Sequence, residues 1–226
     1  MSAGKTAAPF VWFDFGGVLS PPLDELFGRY EQVTGIPVAL FKHAIAEVGA
    51  QYGLPPLAPI ELALLDEREW IARLHAVIRA EAPGLDLSRS EPDFGRQWFA
   101  GHRVNAVVRD FAIELAESGT RVGVLSNNVV EWEPYWRPMI DLDHVLDALV
   151  DSCKVGYRKP DQEIFALAAE QAGVEPGRCV LVDDLAENCA AARAAGWTAV
   201  RFHTAEQAVA EVREVLARWP HRVAAR

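Results

Sequence analysis

Val11-Trp12-Phe13-Asp14-Phe15-Gly16-Gly17-Val18-Leu19 is an apolar, β-prone run that stops at one carboxylate and then turns on two glycines. A run of strand length ending this way predicts a buried strand whose carboxyl end delivers Asp14 into a crevice, because ligands of open α/β sheets bind at that edge. The glycine pair lets the backbone turn sharply and lets a ligand come close. A capped strand end with a tight turn accounts for this stretch about equally well, so the deciding information lies in the rest of the chain.

Beyond Leu19, Ser20-Pro21-Pro22 forms a stiff connector, and the pattern then changes. Leu23, Leu26, Phe27 and Tyr30 share one helical face, closed by Gly35 and Pro37; Leu40, Phe41, Ile45 and Val48 follow, closed by Gly49 and Gly53. Ile60, Leu64, Ile71, Leu74 and Ile78 predict one longer amphipathic helix ending near Pro83-Gly84, and Phe94, Trp98 and Phe99 a short fourth. Residues 21–102 therefore read as an all-helical insert.

From Val104 the rhythm becomes helix and strand in turn. A helix through Val107, Phe111 and Leu115 stops at Gly119, and the strand Arg121–Leu125 runs into Ser126-Asn127-Asn128. A helix from about Trp132 to Ile140, interrupted by Pro134 and Pro138, precedes a strand at Ala148–Val150. The helix Gln162–Ala172, the strand Cys179–Val182 ending in Asp183-Asp184, the helix Asn188–Ala195, the strand Thr198–Phe202 and the helix Glu206–Trp219 complete the series. Such alternation signals βαβ units and a parallel sheet covered on both faces. The expected fold is α/β, with a Rossmann-like core from residues 1–20 and 103–226 split by the helical insert.

Composition narrows the partners. The 226 residues are 50% hydrophobic and carry a formal net charge of −10, with no dense cluster of Lys and Arg. That balance repels phosphodiester backbones, so no nucleic-acid partner is expected. Cys153, Cys179 and Cys189 form no CxxC pair and read as small buried or half-buried hydrophobes rather than a disulfide framework or a thiolate metal site. Met1 to Pro9 lacks the apolar core of a signal peptide, and no window approaches the roughly 18 apolar residues of a membrane span, so a cytoplasmic setting without membrane partners is expected. The sequence is silent on oligomeric state.

Three strands end in reactive or phosphate-binding groups: Asp14, Ser126-Asn127, and Asp183-Asp184. In a parallel sheet all carboxyl ends lie on one edge, so these residues converge, which turn chemistry alone does not require. Lys159, in Gly156-Tyr-Arg-Lys159-Pro160-Asp161, supplies the opposite charge, with Pro160 expected at the first helical position. Clustered carboxylates repel one another unless cations enter. Oxygen donors without histidine or thiolate suit a hard ion such as Mg²⁺, which takes one or two carboxylates and leaves room for water and phosphate. The six histidines have no metal-ligand spacing and read as surface or packing residues.

Asp14-Phe-Gly-Gly-Val, Leu125-Ser126-Asn127, Val155-Gly-Tyr-Arg-Lys159-Pro160-Asp161 and Leu181-Val-Asp183-Asp184-x-x-x-Asn188 resemble, in order, the four motifs of the haloacid dehalogenase (HAD) superfamily of hydrolases. The resemblance runs from about Phe10 to Phe202 and places the helical insert where that superfamily carries its cap. It implies that Asp14 is a nucleophile forming an aspartyl-phosphate, that Ser126 and Asn127 bind phosphate oxygens, and that Lys159 offsets the charge of both. It also implies Mg²⁺ held by Asp14, the Gly16 carbonyl and the Asp183-Asp184 pair, with Asp184 as the direct ligand and Asn188 bracing the loop. The implied activity is hydrolysis of a small phosphorylated metabolite, with sugar phosphates among the candidates.

One position departs from the phosphatase pattern. Those enzymes usually carry a second Asp two residues after the nucleophile, as general acid and base, and here that position is Gly16. The loss is worth about 10²–10⁴-fold in rate, so phosphates with better leaving groups, or acid from the cap or substrate, are expected to compensate. A dehalogenase using Asp14 without metal is the alternative enzyme, although such enzymes typically have an aromatic where Gly16 stands. A binding or regulatory protein that lost turnover is the remaining alternative, and retention of Asp14, Ser126, Lys159, Asp183 and Asp184 counts against it. Trp70, Arg96, Trp98, His102, Trp132 and Trp136 read as packing or solvent-facing residues, not site residues.

Overall fold

The computed structural model describes residues 8–219; the readings of the first seven residues and of the basic tail from residue 220 lie outside it. Five strands, β1 (Phe10–Phe13), β2 (Arg121–Ser126), β3 (Ala148–Asp151), β4 (Cys179–Asp183) and β5 (Thr198–Arg201), form one sheet in the order β3-β2-β1-β4-β5. Every pairing is parallel. β1 is central and no residue of it is more than 1% exposed, which is why its sequence is apolar on both faces rather than alternating.

Register decides what meets at the carboxyl edge. Phe13 lies level with Val124 of β2 and Val182 of β4, so Asp14, one step on, comes level with Asp183, and its N–H bonds to the Val182 carbonyl at 2.9 Å. The helices around the sheet are α6 (Ala106–Glu117), α7 (Glu133–Ile140), the short α8 (Ser152–Val155), α9 (Gln162–Ala172), α10 (Ala186–Ala194) and α11 (Ala205–Ala217). Val11, Phe13, Val124 and Val182 pack with Phe111 and Val212 on one face, and Phe10, Trp12 and Leu181 pack with Phe165 and Ala192 on the other.

Between β1 and β2 the chain forms α1 (Leu23–Thr34), α2 (Val38–Gln51), α3 (Ala58–Glu61), α4 (Glu67–Glu81) and α5 (Phe94–Phe99). Their interior is aromatic: Phe94 stacks on Trp98 at 5.2 Å and meets Trp70 edge-on at 5.3 Å. The predicted tryptophan packing is present at Trp70 and Trp136, both fully buried. The three cysteines are free thiols, as expected.

Three local expectations are corrected. The single helix expected from Ile60 to Ile78 is two, α3 and α4, because Asp66 accepts the Glu69 N–H at 2.7 Å as an N-cap and starts a new helix. Ala63 takes φ 53° in the break, and Leu64, assigned to the buried face by periodicity, is 53% exposed. The prolines do not interrupt α7: Pro134 sits in its first turn, where the N–H would lack a helical partner anyway, and Pro138 falls near its end. Pro160 is not the first helical residue; the Lys159–Pro160 bond is cis, Asp161 takes the cap position and α9 begins at Gln162.

Among the described residues no single helix is long and apolar enough to cross a membrane; the pair α1 and α2 meets length and composition limits only together and is bent by 108°.

Candidate active site

Asp14 directly follows β1, and the loop Phe15–Leu19 turns the chain away from the sheet through Gly17 at φ 77°. The carboxylates of Asp14, Asp183 and Asp184 gather there, offering oxygen atoms within 4.8 Å of one another. Lys159 enters from the loop before α9 and places Nζ 2.7 Å from Asp14 Oδ1 and 2.7 Å from Asp183 Oδ2. All three of these side chains are buried, so the interaction is barely screened by water.

Burial by itself would lower the Lys159 pKa, but the two carboxylates prevail and hold the ammonium above its usual range. Asp14 is pushed up, first by burial and then by the neighbouring charges of Asp183 and Asp184, against the pull of Lys159. Three carboxylates thus face one ammonium, an excess of two negative charges that a divalent cation would neutralise. The donors are hard oxygens, and the backbone makes room for them: a Cβ on Gly17 would lie 2.7 Å from Asp184 Oδ2. The residues present therefore fit Mg²⁺.

The carboxylates are not equivalent. Asp183 Oδ1 accepts from Leu185 N at 2.9 Å and Asn188 Nδ2 at 3.0 Å, and Oδ2 accepts from Lys159 and from Asn188 Nδ2 at 3.1 Å. Both its oxygens are engaged, so Asp183 orients Lys159 with Asn188 behind it. Asp14 Oδ2 and the Asp184 carboxylate are the freer donors.

Asn127 is tied to the lysine loop as well as lining the cavity. Its Nδ2 donates to the Lys159 carbonyl at 2.8 Å and its Oδ1 accepts from the Lys159 N–H at 2.7 Å, so the side chain clamps the lysine loop. Nδ2 keeps a second N–H. The Ser126 hydroxyl is buried without a hydrogen-bond partner, a donor left over at the strand end. Gly16 has ordinary extended geometry, φ −67° and ψ 117°, and a Cβ there would meet nothing within 4 Å.

Above this floor lies a cavity of about 170 Å³ walled by Leu23, Leu26, Leu57, Trp98, Phe99 and Trp132. Trp98 and Trp132, read from sequence as packing residues, pack and also face the cavity. Arg96 pairs with Glu91 and Asp93 at the surface, as a solvated residue would. Among the described residues no histidine lines the cavity; His102 stands edge-on to Trp98 and Phe99, where burial and then Arg29 lower its pKa to about 4.

Two lining residues escaped the sequence reading. Arg158 grips Glu61 Oε2 through both Nε and Nη2 at 2.7 Å, and the Glu61 carbonyl accepts from the Ser152 hydroxyl at 2.7 Å. This pair joins the helical segment to the sheet across the mouth of the site. Burial raises the Glu61 pKa and Arg158 opposes it. Glu61 fell within an assumed continuous helix and is 97 positions from Arg158, so no local pattern marked it. Glu67 is similar: its carboxylate takes the Trp132 Nε1–H at 2.9 Å and the Gly95 N–H, fixing the indole against the cavity.

Among curated proteins, the mouse (Mus musculus) bifunctional epoxide hydrolase 2 is 25% identical over 90% of this chain, and the match spans 38% of that relative's length. Glyceraldehyde 3-phosphate phosphatase of Methanothermobacter thermautotrophicus is 35% identical over 39% of this chain and 39% of its own. The matched segments thus span well under half the length of these relatives. Among solved structures, an L-2-haloacid dehalogenase from Xanthobacter autotrophicus superposes with TM-score 0.62 at 16% identity, covering 93% of this chain and 83% of that one, a likeness of fold. The family model of haloacid dehalogenase-like hydrolases matches residues 11–196, which contain every converging residue described above, and the chain belongs to that family.

Proposed function

We propose that this protein is a Mg²⁺-dependent phosphomonoesterase acting through an aspartyl-phosphate on Asp14, with residues 21–102 as the cap over the site. The observation that carries this reading is Lys159 bridging Asp14 and Asp183 while Asp184 approaches over Gly17. Two anionic partners to be joined, a carboxylate and a phosphoryl group, need that concentration of positive charge. Asp14, the Gly16 carbonyl and Asp184 would hold Mg²⁺, with Asp183 contributing through Lys159; the bound ion would withdraw charge from the phosphoryl oxygens.

In the first step the Asp14 carboxylate attacks phosphorus, the ester P–O bond breaks, and the leaving oxygen departs as an alkoxide that takes its proton from water. The hydrogen bond from Lys159 to Oδ1 opposes the rise in pKa that burial imposes on Asp14 and fixes the direction of its carboxylate. The free Ser126 hydroxyl and Asn127 are the donors for phosphate oxygens. Water then cleaves the acyl phosphate, restoring the carboxylate and releasing inorganic phosphate. With glycine at position 16, the departing oxygen receives no proton from that side chain.

Phosphate release from a panel of small phosphomonoesters tests the reading. Turnover is expected to require Mg²⁺, to vanish with a chelator and to fall at least about 10³-fold in Asp14→Asn, the scale of losing a covalent nucleophile. The competing dehalogenase reading uses the same Asp14 on a carbon–halogen bond. Halide release that resists the chelator, with no phosphate release from any ester, would overturn the phosphatase.

A further inference from the structure

The cap side of the cavity is chemically one-sided. Behind it lies a second, apolar chamber of about 50 Å³, backed by Phe41, Ile45 and Phe94. The two cavities share Leu23, Leu57, Trp98 and Trp132, so these side chains form a partition between the catalytic crevice and the aromatic interior of the cap. Most polar groups on the cap side of the cavity are already engaged, and the exception lies at the floor, where Asn128 Nδ2 is buried without a partner. Glu61 and Arg158 form an ion pair, the Trp132 N–H is held by Glu67, and the Ser20 hydroxyl accepts from Gly17 N and donates to the Pro21 carbonyl.

A polyhydroxylated alcohol bound here would lose water from several hydroxyls and find few free partners. An apolar ring would instead exchange water for Leu23, Leu57 and two indole faces. Resting on the phosphatase reading, we infer that the substrate is the phosphomonoester of a small aromatic alcohol, its phosphate on the Asp14 floor and its ring against the partition of Leu23, Leu57, Trp98 and Trp132. Specificity is thus set by an apolar subsite in the cap, and sugar phosphates are poor substrates.

Benzyl phosphate and glucose 6-phosphate test this directly, because both release a primary alcohol and differ mainly in the polarity of the rest. With Mg²⁺, kcat/KM for benzyl phosphate is expected to exceed that for glucose 6-phosphate by at least about 10-fold, within the range a few apolar contacts supply. Leu23 is 38% exposed, so Leu23→Asn should leave the melting temperature nearly unchanged and lower the benzyl-to-glucose ratio by about 5-fold or more, mainly through KM. Equal or faster turnover of glucose 6-phosphate, or a ratio indifferent to Leu23→Asn in a folded variant, overturns the aromatic subsite and leaves the phosphatase standing. No phosphate from either ester or from acetyl phosphate, which needs no acid and no ring, overturns both.

Discussion

Gly16 and Gly17 are adjacent and answer to different physics. Gly17 holds φ 77°, a region costing an L-residue about 1–2 kcal/mol, and its missing Cβ is the space Asp184 Oδ2 uses. Gly17→Ala is therefore expected to destabilise the fold by about 1–2 kcal/mol and to weaken Mg²⁺ binding, measured by calorimetric titration of the metal alone. Gly16 has neither constraint: its backbone suits any residue and open space lies where a side chain would go. Gly16→Asp should fold normally and accelerate benzyl phosphate hydrolysis by more than about 10-fold, toward the 10²–10⁴-fold a positioned acid supplies. The expected gain is smaller for phenyl phosphate, whose alcohol leaves without help. Equal acceleration of both esters would show that leaving-group protonation is not what position 16 lacks.

At the scale of elements, the break between α3 and α4 matters more than either helix. A continuous helix would carry Glu61 onward in regular spacing; ending α3 there lets its carbonyl meet Ser152 and its carboxylate meet Arg158. Glu61→Ala removes one member of a buried pair and leaves the guanidinium without its partner, an effect of about 3 kcal/mol by analogy with other buried pairs. Urea titration should show that loss, with Glu61→Gln less affected because it still accepts a hydrogen bond from Arg158.

At the end of β3, Asp151 is buried beside Cys153, and desolvation raises its carboxyl to about 7. The folded state thus holds a proton that the unfolded chain releases near pH 4, so this group makes stability fall as pH rises from about 4 to 7. The upper limit of that loss is about 4 kcal/mol, from roughly 1.4 kcal/mol per unit. Asp151→Asn should accordingly raise the melting temperature more at pH 8 than at pH 5. An equal change at both values would mean that the carboxyl titrates alike in the folded and unfolded chain.

For the molecule as a whole, the sequence determined the sheet and the contents of its carboxyl edge. Apolar runs ending in Asp14, Ser126 and Asp183-Asp184 need no knowledge of contacts, because parallel register aligns strand ends wherever the strands fall in the chain. Strand periodicity and glycine stops are local signals, and they were legible for the same reason. Tertiary structure alone decided how those residues divide their work: Asp183 spends both oxygens on Lys159, Leu185 and Asn188, and Asn127 ties its side chain to the lysine loop. It also decided the side of the site built by the helical segment, where Glu61 meets Arg158, Glu67 fixes Trp132, and two tryptophans with ordinary core spacing line a cavity. Periodicity reports which face of a helix is buried, whereas hydrogen-bond partners and the wall of a cavity depend on which residues, distant in the chain, the packed fold brings together.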